Sequence, residues 1–204
     1  MSKFIIGQKV GMTRAIKDGV ETPLTVVLAM PNTVVKCMDS HKDGYNAVLI
    51  GAGASKRKKL NMPQAGSFKK SKSSPQIIKE FAVDDISQYN VGDKINLDNF
   101  SAGDKVNITG RSKGKGFSGV IKRHSFHRGP ESHGSDHHRA PGSIGGGYPQ
   151  RVVKGKKMPG HLGNKISVQK NSEIFDVLPE ENIVLLYGSV AGPNKSWVFI
   201  EKIK

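Results

Sequence analysis

Apolar and polar positions alternate in short runs through the first hundred residues, and turn residues break the runs at close intervals. Thr22–Ala29, Thr33–Met38 and Ala47–Ile50 are β-branched or apolar, separated by Pro31-Asn32 and by the tight-turn pair Asp43-Gly44. Ile77–Val83 follows, then a turn at Val91-Gly92-Asp93 and a run at Val106–Gly110. The pattern resumes after residue 165 in Ile166–Val168, Ile174–Leu178, Ile183–Tyr187 and Ser196–Ile203, split at Pro179–Asn182 and Ala191–Asn194. No amphipathic stretch of three helical turns separates these runs. The spacing therefore predicts a mainly β chain, with a small antiparallel β-barrel body built from residues 1–110 and 166–204 rather than from βαβ units.

Between Arg111 and Lys165 the pattern fails. Phe117, Val120, Ile121, Phe126, Ile144, Val152, Val153, Met158 and Leu162 are scattered through these 55 residues without a sustained period. So little apolar surface cannot offset the entropy of ordering the segment, and an irregular loop of this length is uncommon inside a compact domain unless it has a partner. A second interruption, a low-complexity insertion at about 54–76, carries Lys56-Arg57-Lys58-Lys59 and Lys69-Lys70-Ser71-Lys72 around Pro63 and Gly66.

Charge names the class of partner. The 204-residue chain has a net charge of +15 and a pI near 9.9. Residues 111–165 hold 12 Lys or Arg against only Glu131 and Asp136, together with 12 of the 24 glycines and 6 of the 7 histidines. Such a body repels itself unless a polyanion neutralises it, and nucleic acid is the commonest one. A membrane surface would need the cations on one face of an amphipathic helix, whereas here they sit among glycines. No run approaches the roughly 20 apolar residues of a membrane span, and Met1–Gly7 has neither a long apolar run nor an Arg/Ser-rich amphipathic pattern, so no signal or transit peptide is expected. The single cysteine, Cys37, lies in an apolar run and is expected to be a small buried hydrophobe in a reducing compartment, the cytoplasm.

Three motifs invite catalytic or cofactor readings and fail them. Gly114-Lys115-Gly116-Phe117-Ser118-Gly119 fits the dinucleotide G-x-G-x-x-G, but only about two helical turns follow before Gly129-Pro130, and no apolar strand comes after. A phosphate loop needs Ser or Thr where Gly116 stands. His124, His127, His133, His137 and His138 have no nearby cysteine and only Glu131 and Asp136 as carboxylates, so imidazoles facing RNA fit better than a metal site. Gly134-Ser135-Asp136 lacks the strand-turn-helix elbow of a serine nucleophile. No catalytic residue, metal or cofactor is expected.

What remains is electrostatic. Arg111, Lys113, Lys115, Lys122, Arg123, Arg128, Arg139, Arg151, Lys154, Lys156, Lys157 and Lys165, with His124, His137 and His138, are the candidate nucleic-acid contacts. Gly114, Gly116, Gly119, Gly142, Gly145 and Gly155 would let backbone approach the polyanion closely. Lys113–Arg123 is read as the root of the segment, His137–Gly147 as its tip region and Lys154–Lys157 as the returning basic strand.

Gly110-x-Ser112-Lys113-Gly114-Lys115-Gly116-Phe117, Arg139-Ala140-Pro141-Gly142-Ser143-Ile144-Gly145 and Lys154-Gly155-Lys156-Lys157-Met158, with Gly160 and Gly163-Asn164, strongly resemble the universal ribosomal large-subunit protein three family, bacterial type. Gly7-x-Lys9-Val10-Gly11-Met12-Thr13 and Asp43-Gly44-Tyr45 look like that family too, so the resemblance spans nearly the whole chain. It implies a β-barrel body on the large ribosomal subunit and an extension threading through rRNA toward the peptidyl-transferase centre. It also implies a role in early subunit assembly and contacts with neighbouring ribosomal proteins. One departure stands out. Many bacterial relatives carry a methylated glutamine just after Ser-Ile-Gly, where this chain has Gly146-Gly147-Tyr148, so Gln150, which lies after Pro149, does not inherit that modification by default.

Overall fold

The computed structural model describes residues 3–17, 19–54, 61–68, 71 and 73–203, the side chains of Gln64 and Ser67 apart. Of the two basic runs in the insertion, only Ser71 lies among the described residues. The chain divides into two units, Met1–Arg111 with Ile166–Lys204, and Ser112–Lys165.

In the first unit the strands are β1 (Phe4–Lys17), β2 (Val20–Leu28), β3 (Asn32–Met38), β4 (Ala47–Ala54), β5 (Pro75–Ala82), β6 (Lys94–Ile95) and β7 (Lys105–Arg111). The second unit contributes β8 (Phe117–Ser118) and β9 (Gly160–His161), and the first resumes with β10 (Ile166–Leu178), β11 (Ile183–Tyr187) and β12 (Trp197–Lys202). Among the described residues helix is confined to short pieces: α1 (Ser40–Asp43), α2 (Met62–Ser67), α3 (Val120–His124) and a 3₁₀ turn at Leu97–Asn99. No helix among the described residues is long and apolar enough to cross a membrane.

Six strands close on themselves in the order β1-β12-β7-β10-β11-β2, every pairing antiparallel. Two-residue periodicity selects their core: Val106 and Ile108, Val184 and Leu186, Val198 and Ile200 alternate inward and meet Ile5, Val27 and Ile174. A separate four-stranded sheet, β5-β4-β3-β6, buries its own cluster of Val34, Val48, Ile50 and Phe81. Among the described residues, the first unit thus has two sheets where the sequence suggested one barrel. β1 serves both, because Ile5 joins the core of the ring while Phe4 and Ile6 join that of the sheet. The Phe4 ring lies parallel to Phe81 at 4.6 Å. A strand buried on two faces loses its alternation, and the Phe4-Ile5-Ile6 run for that reason carries no strand signature of the half-buried kind.

Asn32 joins the two sheets. Its fully buried amide accepts from the Ile6 N–H at 2.6 Å and donates to the carbonyls of Ile6 at 3.1 Å and Met30 at 2.8 Å. Two local expectations change. Asp43-Gly44 is not a two-residue hairpin: Asp39 caps the single turn of α1, and Gly44, at φ 86, ends it. The runs at 166–168 and 174–178 are one strand, β10, whose register shifts between Gln169 and Ser172. Cys37 is half-buried, its Sγ 3.4 Å from the Tyr89 carbonyl, and burial raises the pKa of its thiol.

The ring fixes where the 111–165 segment leaves and returns. β7 ends at Arg111 and β10 begins at Ile166, and these two residues are paired neighbours. A loop at 188–196 backs this point. Gly110 approaches so closely that a Cβ there would lie 2.8 Å from the Ala191 carbonyl oxygen. Lys9, only 6% exposed, donates its ammonium to the carbonyls of Val190 at 2.8 Å and Gly192 at 3.4 Å. A buried ammonium is tolerated because such oxygens replace its water.

Candidate nucleic-acid interface

Within Ser112–Lys165 the two legs of the chain are laced together by backbone bonds. The Ser112 N–H donates to the Lys165 carbonyl at 2.9 Å, and the Asn164 N–H donates to the Ser112 carbonyl at 3.2 Å. Further in, Lys115 N–H reaches the Leu162 carbonyl at 2.8 Å and Leu162 N–H reaches the Gly116 carbonyl at 2.9 Å. β8 and β9 continue the ladder through Phe117↔His161 and Ser118↔Gly160. α3 follows, one short turn that ends where Ser125 adopts a left-handed conformation at φ 58. Arg123 and His124 then clamp this helix to the returning leg, since the guanidinium donates to the Met158 carbonyl at 2.6 Å and His124 Nε2 lies 3.1 Å from the same oxygen.

The candidate contacts divide into two groups. Arg111, Lys113, Lys115, Lys122, Arg139, Arg151, Lys154, Lys156, Lys157 and Lys165 are exposed, as are His137 and His138. Arg123 and His124 are half-buried and occupied by Met158, so they hold the scaffold before they meet any partner. Arg128 is exposed but pairs with Glu131 at 3.0 Å, and His138 Nδ1 lies 2.9 Å from the Pro130 carbonyl. Among the described residues no group of three His, Cys, Asp or Glu is placed to hold a metal. At Gly116, Gly119, Gly142 and Gly155 the space that a Cβ would take is open, and at Gly114 and Gly145 the nearest atoms are at ordinary contact distance or beyond. These six leave bare backbone facing outward.

The family model for Ribosomal protein L3 matches residues 76–181. "Large ribosomal subunit protein uL3" of Syntrophus aciditrophicus (strain SB) is 46% identical over 205 residues, covering 99% of this chain and 94% of the relative. The chain belongs to the ribosomal protein L3 family. The proteins of the same name from Carboxydothermus hydrogenoformans (45% identical, covering 99% of this chain and 98% of the relative) and Brachyspira pilosicoli (47%, 92% and 88%) agree. Membership makes the chain a ribosomal protein, a structural component and not an enzyme.

Sequence reasoning missed the glycines that this L3-family chain uses internally. A Cβ on Gly163, at φ 76, would sit 2.0 Å from the Lys113 carbonyl oxygen, and one on Gly129 would sit 2.1 Å from that of His137. Nothing in one sequence separates such glycines from the outward-facing ones, because the difference lies in which leg passes behind them. Phe117 and Tyr148, 79% and 90% exposed, were likewise not among the expected contacts. Aromatic rings left in water within a basic segment are the one composition signal that points to them.

Proposed function

We propose that this chain is a structural constituent of the large ribosomal subunit that binds large-subunit rRNA through residues 111–165, assists early subunit assembly and extends toward the peptidyl-transferase centre. The observation that carries the reading is the division of labour inside that segment. Its backbone groups and the Arg123 and His124 side chains close the scaffold, while the other eleven Lys and Arg side chains of 111–165 are exposed, Arg128 among them though paired with Glu131. Lys and Arg neutralise phosphates and release counterions. Exposed glycine backbone permits close approach, and RNA is read through shape, phosphates and 2′-hydroxyls. Residues 1–110 and 166–204 serve as the body that fixes the entry point, and neighbouring large-subunit proteins are expected beside it.

Binding of the purified chain to in vitro transcribed large-subunit rRNA, measured across a salt series, tests this. The slope of log affinity against log salt should be steep, and replacing Lys154, Lys156 and Lys157 by alanine together should lower it by about 2 to 3. A salt-independent affinity would remove the mechanism. Deleting 125–158 should leave the body folded while large subunits assemble poorly. Normal subunits carrying that deletion would contradict the assembly role.

A further inference from the structure

Beyond the root of the segment, the outgoing passage Ser125–Gly129 and the returning passage His137–Gly142 enclose a groove of about 460 Å³. Its frame is built from the backbone. The Gly129 N–H donates to the His138 carbonyl at 3.0 Å, the His138 ring reaches back to Pro130, and the glycine lets the two passages touch with no side chain between them. Half-buried Phe126 and Pro141 line the groove with the exposed imidazoles of His127 and His137. A pocket of this size suits a small planar group.

Resting on the rRNA reading above, we propose that this groove receives one unpaired base of the RNA, stacked on Phe126 and flanked by His127 and His137. A phosphate subsite would need converging cations, and the only Lys or Arg lining the groove, Arg128, is already paired with Glu131. A lining of aromatic ring, proline ring and imidazole instead matches the face of a nucleobase. The base must be unpaired because both faces of a helical base are covered by its neighbours. The surrounding positive segment supplies the attraction, and the groove supplies a seat.

The test uses the full-length chain bound to in vitro transcribed large-subunit rRNA. Ultraviolet crosslinking with mass spectrometry should give a nucleotide adduct within residues 125–142. Phe126→Leu should weaken binding about five- to a hundredfold without changing the salt slope, because no phosphate contact is lost, and Phe126→Tyr should restore it. If the wild type binds with a steep salt slope but gives no adduct in 125–142 and Phe126→Leu binds equally well, the base seat is wrong while the rRNA reading stands. A Phe126→Leu variant with a reduced salt slope would also overturn the base assignment in favour of phosphate. Absence of salt-dependent binding by the wild type would remove both readings.

Discussion

Gly163→Ala is the substitution that most directly asks whether the root of the basic segment is a built structure. The left-handed backbone at φ 76 costs an alanine about 1–2 kcal/mol. The larger effect is contact: the new Cβ would stand 2.0 Å from the Lys113 carbonyl oxygen, a distance that real Cβ atoms do not show, and that atom belongs to backbone. Relief requires the two legs to part by roughly an ångström, which stretches the Lys115–Leu162, Leu162–Gly116 and Asn164–Ser112 bonds, now 2.8, 2.9 and 3.2 Å, beyond useful length. Each is worth about 0.5–1.5 kcal/mol net, so with the backbone cost the local loss comes to about 2.5–6.5 kcal/mol. Gly155→Ala is the control, because its φ of 80 carries the same backbone cost but the space around it is open. Amide hydrogen exchange on the free chain reads both. The Lys115, Leu162 and Asn164 amides should lose about thirtyfold or more of their protection in Gly163→Ala, up to whatever the wild-type root possesses, while Gly155→Ala leaves them unchanged. Equal protection of these three amides in Gly163→Ala and wild type would refute the ladder as the element holding the root.

Two further predictions concern the body. Asn32→Ala removes three hydrogen bonds, two of which tie β1 to the start of β3, and strands buried groups of Ile6; it should cost about 2–4 kcal/mol in urea denaturation, and a cost below about 1 kcal/mol would show that Asn32 is not the tie. Asp104 faces Lys202 at 2.5 Å. Burial opposes its ionisation, yet the bonds from Lys202 and the Ser101 N–H, with the charges of Lys202 and Lys3, outweigh that and hold its carboxyl below the usual range. A depressed carboxyl stabilises the fold above its unfolded value, about 3.9, and that share is lost as pH falls through the folded value. Asp104→Asn should therefore cost about 1–3 kcal/mol at neutral pH and flatten the loss of stability below about pH 4. An acid profile parallel to wild type would contradict the assignment.

The sequence by itself determined the class of structure and the class of partner. Alternating apolar runs with turn residues between them can only be buried by pairing strands, and a segment with 12 Lys or Arg against two carboxylates needs an anion whatever its conformation. Both conclusions rest on local composition, which folding does not alter. Tertiary structure decided what depends on distant residues meeting. Phe4, Ile5 and Ile6 read as a featureless apolar run until two sheets approach from opposite sides. Arg123 reads like its cationic neighbours until Met158, 35 residues away, returns its carbonyl to the guanidinium. Gly163 and Gly155 share a positive φ, and only the passage of Lys113 behind the first leaves a Cβ no room there. Periodicity reports which face of an element is buried, whereas the partner against which it is buried is set by the path of the whole chain.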